Sequence, residues 1–180
     1  MIVILGGYIS QDPIGLEGNN PNFYAYVWDS NSWMDPYGLL VEGKQGDLGK
    51  HGDLKNVPGG GQSHHLNQDA AFRDVIPTNK GAAIKLEGNA FKDINSPHYK
   101  AHQRLEEFWD QYRKGGNLFG QKPTNLQYTL ALKRSLCRAG LNPQQINNAL
   151  KSAIRNRVDY GFLGGQSVPR IPGRINQAKP

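Results

Sequence analysis

Four of the five histidines in this 180-residue chain fall into two close pairs, His64 with His65 and His98 with His102. A neutral imidazole binds divalent cations and exchanges protons near neutral pH, so such pairs can do chemistry. On a helix, His98 and His102 are one turn apart, with Cβ atoms about 6 Å apart on one face, which suits two rings sharing one ion. Adjacent residues of an extended segment point to opposite sides, so of His64 and His65 one can ligate while the other meets substrate or water. A helical His pair alone more often serves no metal. The order His-His, strand, helix bearing His-x-x-x-His raises the metal reading well above that level. The fifth histidine, His51, lies in a glycine-dense stretch and receives no role from sequence.

The elements that must position these side chains are legible to different degrees. Ser96 is a good N-cap and Pro97 a good first residue, and helix formers continue to about Lys114, where Gly115-Gly116 stops them. His98, His102, Leu105, Trp109 and Tyr112 fall at i, i+4, i+7, i+11 and i+14. The histidines thus continue an apolar stripe and face the body of the protein or a cleft at its edge. Ala82–Leu86 has the pattern of a short strand closed by Gly88-Asn89. A short segment runs through Ser63 to Leu66, and Ala70-Ala71-Phe72 fits a helical turn. Two further helices are expected, one from about Asn125 to Ala139 and one announced by Asn142-Pro143, with Ile146, Ala149, Leu150, Ala153 and Ile154 on one face. Residues 40–62 read as a mobile or loop-like linker ending in Pro58-Gly59-Gly60-Gly61, and residues 161–180 as an irregular basic tail.

Composition narrows the classes. No apolar run approaches the roughly eighteen residues of a membrane span, and the opening Met1-Ile2-Val3-Ile4-Leu5 lacks the flank and length of a signal-peptide core. Cys137 is the only cysteine, so an intrachain disulfide and a cysteine-based zinc cluster are excluded, and it is expected to fill core on a helix. Residues 1–39 carry Asp12, Glu17, Asp29 and Asp35 and no Lys or Arg, a balance of −4. The remainder has 21 basic against 11 acidic side chains, a balance of +10 that suits either a polyanionic partner or a solvated basic surface.

The first 39 residues are rich in Gly, Asn, Pro and aromatics, the texture of short strands and tight turns. They hold an internal repeat, Asp12-Pro13-Ile14-Gly15-Leu16 and Asp35-Pro36-Tyr37-Gly38-Leu39, with 18 residues between the copies. Taken alone, both Asp-Pro pairs suit turns. The doubled motif, with Asn22-Phe23-Tyr24-Ala25-Tyr26-Val27 between its copies, resembles the end of the core domain of Rhs (rearrangement hotspot) proteins. In that family a β-shell encloses a variable C-terminal toxin, and the core end cuts itself off by an aspartyl-protease-like reaction. The resemblance implies cleavage after Leu39 with Asp12 and Asp35 as an autoproteolysis dyad, since two nearby carboxyls divide acid and base work. This chain lacks the shell that would position the dyad.

Beyond the linker, Ser63-His64-His65 with Ser96-Pro97-His98-Tyr99-x-x-His102 resembles the SHH group of polymorphic toxins, within the ββα-metal (HNH/endonuclease VII-like) nucleases. The resemblance covers residues 60–115 well and the later helices more loosely. It implies an α+β fold: a ββα-metal nuclease core with additional C-terminal helices, spanning residues 63–160, preceded by the short β-rich Rhs core remnant of residues 1–39. Carried over by position, His64, His98 and His102 are metal ligands and His65 is the general base. Three neutral imidazoles leave at least one coordination position open for phosphate or water, as catalytic sites do. The expected cofactor is one divalent ion, with Zn, Ni, Mg and Mn all open. The expected reaction is hydrolysis of phosphodiester bonds in DNA; the alternatives are an RNase with the same site, a non-catalytic nucleic-acid-binding module stabilised by the metal, and an inactive Rhs tip fragment. Lys85, Lys100 and Arg104 are candidate phosphate contacts, ordinary solvated charge being the alternative for each. Many family members place an Asn on the strand before the metal helix; that strand lacks one here, and Asn79 or Asn89 could supply the amide from a flanking loop. The resemblance further implies a cognate immunity protein, a parent Rhs shell, and delivery by a secretion apparatus into the cytoplasm of a competing cell. A partner of acidic charge would suit a basic domain.

Overall fold

A computed structural model describes residues 43–178. The doubled Asp-Pro-x-Gly-Leu motif, with Asp12 and Asp35, lies outside the described residues.

Among the described residues the fold is α+β, with one three-stranded antiparallel sheet and five helices. In chain order the elements are β1 (Leu48–Lys50), α1 (His51–Leu54), β2 (Gln62–His65), α2 (Asp69–Phe72), a 3-10 turn (Thr78–Lys80), β3 (Ala82–Leu86), α3 (Pro97–Asp110), α4 (Asn125–Arg138) and α5 (Pro143–Asp159). β3 is the central strand, pairing with β1 on one side and β2 on the other, so that His64 lies opposite Ile84 and His65 opposite Ala83. All five β3 residues are buried, because both faces of this strand are covered.

The expected mobile linker is a correction. Glycine density and polar composition imply a loop, yet β1 extends the sheet and the His51 amide donates to the Gly81 carbonyl at 2.9 Å. What fixes the segment is Lys85, reaching from β3 to donate to the carbonyls of Val57 (2.6 Å) and Leu54 (3.4 Å). Such a cross-link between distant positions leaves no local signature in the sequence.

The long helices form where capping and periodicity place them. Ser96 accepts a hydrogen bond from the Tyr99 amide, and Thr124 and Asn142 each complete a capping box with Gln127 and Gln145. α3 is tied to the sheet because its second residue, His98, donates its amide to the carbonyl of Glu87, one residue past β3. The chain turns between them at Gly88, φ 81°, where a Cβ would fall 2.3 Å from that of Ser96. The position therefore requires glycine twice over, for conformation and for space.

Two apolar clusters support the sheet. Leu66, Ile84 and Leu86 pack with Leu132, Leu136 and Ala149 of α4 and α5, while Phe72, Leu105, Trp109 and Tyr128 form the second cluster with Val168. Ile154 departs from its expected place on the inner face of α5: it is 45% exposed, and Arg157 is buried in its stead. The guanidinium donates to Asn125 O and Thr129 Oγ1 and lies over the rings of Phe72 and Tyr128, so among the described residues its charge is met by dipoles and π-faces and by no carboxylate. Cys137, expected in the core, is exposed, because the inner face of α4 runs through Leu132, Ser135, Leu136 and Ala139.

Among the described residues the chain after residue 161 has no helix or strand, only an isolated bridge between Ser167 and Thr124, but it is fastened. Arg113, paired with Glu106, also donates to the carbonyls of Pro172 and Gly173, and the Tyr99 hydroxyl donates to Ala178 O. No helix among the described residues is long and apolar enough to cross a membrane. The two faces of the α4–α5 pair give a direct stability test. Leu132→Ala should cost about 2–5 kcal/mol in urea unfolding, whereas Ile154→Ala should change it by under about 0.5 kcal/mol.

Candidate functional site

The alternation of β2 divides the site into two halves. Ser63 and His65 share one face of the strand and His64 the other. On the inner side, His64 meets the two histidines of α3. One ring nitrogen from each of His64, His98 and His102 lies within 4.8 Å of the others. His64 Nδ1 and His102 Nε2 are 3.2 Å apart, one sharing its proton with the other, and the His64 ring stands edge-on to both neighbours. Two nitrogen ligands on a tetrahedral ion with bonds of about 2.0–2.1 Å would lie about 3.3 Å apart, so this separation already suits a shared cation.

The donor set fits a borderline metal. His64 and His98 are buried and His102 is partly so. His64 Nε2, His98 Nδ1 and His102 Nδ1 are buried without a hydrogen-bond partner. Unpartnered buried polar atoms are costly, and each of the three rings of this cluster carries one. Three buried histidines are thus close enough to bind a metal ion.

Electrostatics prepare the same state. Burial pushes the His64 imidazole well below its ordinary value of 6.5, and the neighbouring rings of His102 and His98 push the same way. His98 is lowered to about 4 by burial, against a smaller opposing contribution from the Gly88 backbone, and His102 to about 3 by burial and then by His98. All three rings are neutral at pH 7, the form that ligates.

His65 faces the other half of the cleft. Its Nε2–H donates to the Thr78 carbonyl at 3.0 Å, which leaves Nδ1 as the lone-pair nitrogen. Its ring is stacked on that of His51, centroids 3.9 Å apart and planes 25° apart, and His51 Nδ1 is hydrogen-bonded to Ser63 Oγ at 2.9 Å. Gly81 lies beneath: a Cβ there would fall 2.9 Å from His65 Cδ2. Burial, then the neighbouring His65, lowers His51 to about 4. All five histidines line one cleft of about 590 Å³, with Lys55 and Arg73 also on its walls.

The candidate phosphate contacts are placed differently from expectation. Lys85 is buried, and its ammonium is directed to the two backbone carbonyls described above, so it holds the α1 loop instead of a ligand. Arg104 is paired with Glu107 further along α3, and neither it nor Lys100 lines the cleft. Lys85 lines the cleft despite that engagement, beside Lys55 and Arg73, which belong to segments read as linker and mixed turn.

The expected strand asparagine is likewise replaced. Asn79 accepts from Lys55 Nζ, and Asn89 accepts the amides of Phe91 and Lys92, so neither ties the histidine strands together. Asn156 of α5 does: its Oδ1 accepts from the Ala82 amide (2.9 Å) and from Asn67 Nδ2 (3.2 Å), and its Nδ2 donates to Lys80 O (3.3 Å). Gln68 adds a buried chain, accepting from Trp109 Nε1, while its amide donates to the Tyr128 hydroxyl, which donates to Leu66 O. These residues escaped sequence reasoning because their partners are about 40 to 90 positions away. For His51, the sequence signal was a histidine opening a helical turn 12 residues before Ser63.

No protein-family model matches the chain, and no solved structure matches it. It is similar to an uncharacterized protein of Escherichia coli strain K12, YibJ, 36% identical over 99 residues. The similarity covers 50% of this chain and 41% of YibJ, so the chain spans less than half the length of that relative.

Two outcomes follow from this geometry. Because the folded values of His64, His98 and His102 lie below the unfolded 6.5, the unfolded chain binds more protons between the two, and stability rises with pH there. Metal-free protein should have full stability above pH 6.5 and lose it as pH falls toward 4, at up to about 1.4 kcal/mol per pH unit for each neutral histidine, read from urea melts across pH. Lys85→Ala should cost about 1–3 kcal/mol by leaving two carbonyls unpaired, and should lower the thermal midpoint accordingly.

Proposed function

We propose that the described domain is a metal-dependent nuclease, hydrolysing phosphodiester bonds in DNA, and that its fold is of the ββα-metal kind with α4 and α5 added. The observation that carries this reading is the clustering of three buried imidazoles, each with an unpartnered ring nitrogen, beside the His65 imidazole in one cleft. The order β2, β3, α3 supports it, as does the antiparallel pairing of the two strands, with ligands on the first strand and on the helix that follows the second.

His64, His98 and His102 would hold the ion, which supplies positive charge for polarising a phosphate oxygen and stabilising the departing one. The remaining work belongs to the chain. His65 Nδ1 accepts the proton of the attacking water, with the Thr78 carbonyl fixing the proton on Nε2. Lys55 and Arg73 attract the polyanion to the cleft wall, within a chain whose residues 40–180 carry a balance of +10. Arg73 is also paired with Asp69, which lines the same cleft.

In the wider reading the nuclease is the toxin tip of an Rhs protein, acting in the cytoplasm of a competing cell after delivery by a secretion apparatus and restrained in the producer by an immunity protein. The doubled Asp-Pro-x-Gly-Leu motif before the domain supports it. Incubation of the full chain with plasmid DNA and with RNA, across Mg, Mn, Ni and Zn, tests the nuclease. Metal-dependent cutting of plasmid is expected. His65→Ala should lower cutting at least a hundredfold while metal still binds, and His102→Ala should lose metal and cutting together. Cutting of RNA alone would reassign the substrate, and normal cutting by His65→Ala would overturn the assignment of the base.

A further inference from the structure

His51 has no part in the metal set or in the resemblance that pointed to it, yet three contacts fix it in the cleft. Its amide is bound by Gly81, its Nδ1 by Ser63 Oγ, and its ring lies flat against His65. The sequence reasons for this are specific. Ser63 and His65 are two apart on β2 and therefore share a face, on the side away from the His64 imidazole. α1 begins directly after β1, and β1 and β2 flank the same central strand, so residue 51 is delivered above that face. Lys85 holds the loop that follows α1 by its carbonyls at Leu54 and Val57.

We propose that His51 is a positioning residue for His65: its stacked ring, anchored by Ser63, clamps the His65 imidazole in the plane where Nε2–H meets the Thr78 carbonyl and Nδ1 presents its lone pair to the cleft. A carbonyl alone fixes one atom of a ring that can still rotate about its Cα–Cβ and Cβ–Cγ bonds. A parallel ring at 3.9 Å removes that rotation on one side, and Gly81 leaves room for the ring on the strand side without pressing on it. The clamp gives Ser63 a task as well, since its hydroxyl holds the clamping ring and need not touch substrate. The role rests on the nuclease reading only in assigning His65 as the base; the geometry of the pair stands apart from it.

Two measurements on the full chain separate these levels. Long-range 1H–15N spectra of the imidazoles report which nitrogen of His65 carries the proton. Wild type is expected to hold the Nε2–H form, His51→Ala to give a mixture of the two tautomers, and His51→Phe, which keeps a flat ring without the Ser63 bond, to return most of the Nε2–H form. In plasmid cleavage, His51→Ala should lower kcat about tenfold with KM within twofold and with metal affinity unchanged, and His51→Phe should recover most of kcat. Ser63→Ala should lower kcat severalfold in wild type and have no further effect in His51→Phe, because the hydroxyl acts through the imidazole it anchors. A His51→Ala variant that keeps the wild-type His65 tautomer and the wild-type kcat overturns the proposal. So does a loss in His51→Ala that His51→Phe fails to recover while both variants melt as wild type does. If no metal supports cutting but the tautomer changes occur as expected, the nuclease reading fails and the clamp stands.

Discussion

Everything about the site follows from the burial of imidazoles against one another. A protonated imidazole among His64, His98 and His102 would lose its hydration beside two further rings, so burial favours the neutral form of the cluster. Neutral imidazoles, however, carry lone pairs and N–H groups that want partners, and the surrounding protein offers few. The fold resolves the conflict by keeping the three rings in contact and supporting them from outside. The Glu87 carbonyl holds the first turn of α3, Trp109 and Gln68 lock the far end of the same helix to the segment after β2, and Asn156 stitches β3 to α5. Rigid support of this kind is what a preorganised constellation requires.

The strand β2 then does two tasks with four residues. Its alternation sends His64 inward to the helix histidines and Ser63 and His65 outward to His51. A one-residue slip in its pairing with β3 would exchange those faces. The register is held because Leu66, just past the strand, is fully buried and donates its amide to Ala82, so a slip would expose a core leucine. Core packing and site geometry are thereby the same constraint.

Much of this was visible in the sequence, and the line between visible and invisible is physical. α3 could be read because Ser96, Pro97 and the His98–Tyr112 stripe are local signals at helical spacing, and its histidines fell on the buried face as the stripe requires. The closeness of His64 to them was visible only as a pattern of order, strand after strand before helix. Lys85 could not be read: a lysine in a short strand usually points to water, and only the two carbonyls it meets justify burying it. Arg157 was missed for the same reason, and Ile154 was misplaced with it, since periodicity cannot tell which of two neighbouring faces of a helix is covered. His51 and Asn156 act across chain separations that no local rule spans.

The tail draws one consequence from the order in which a chain is made. Arg113 grips carbonyls 59 and 60 residues downstream, the Tyr99 hydroxyl reaches 79 residues to Ala178, and Ile175 supplies part of the cleft wall. During vectorial synthesis, therefore, every histidine of the cluster has left the ribosome long before the segment that finishes its surroundings. The helix that carries His98 and His102 must wait for more than sixty further residues before its last polar groups are satisfied. Maturation of the cleft is tied to the synthesis of residues 172–178, not to the appearance of the residues that give it its chemistry.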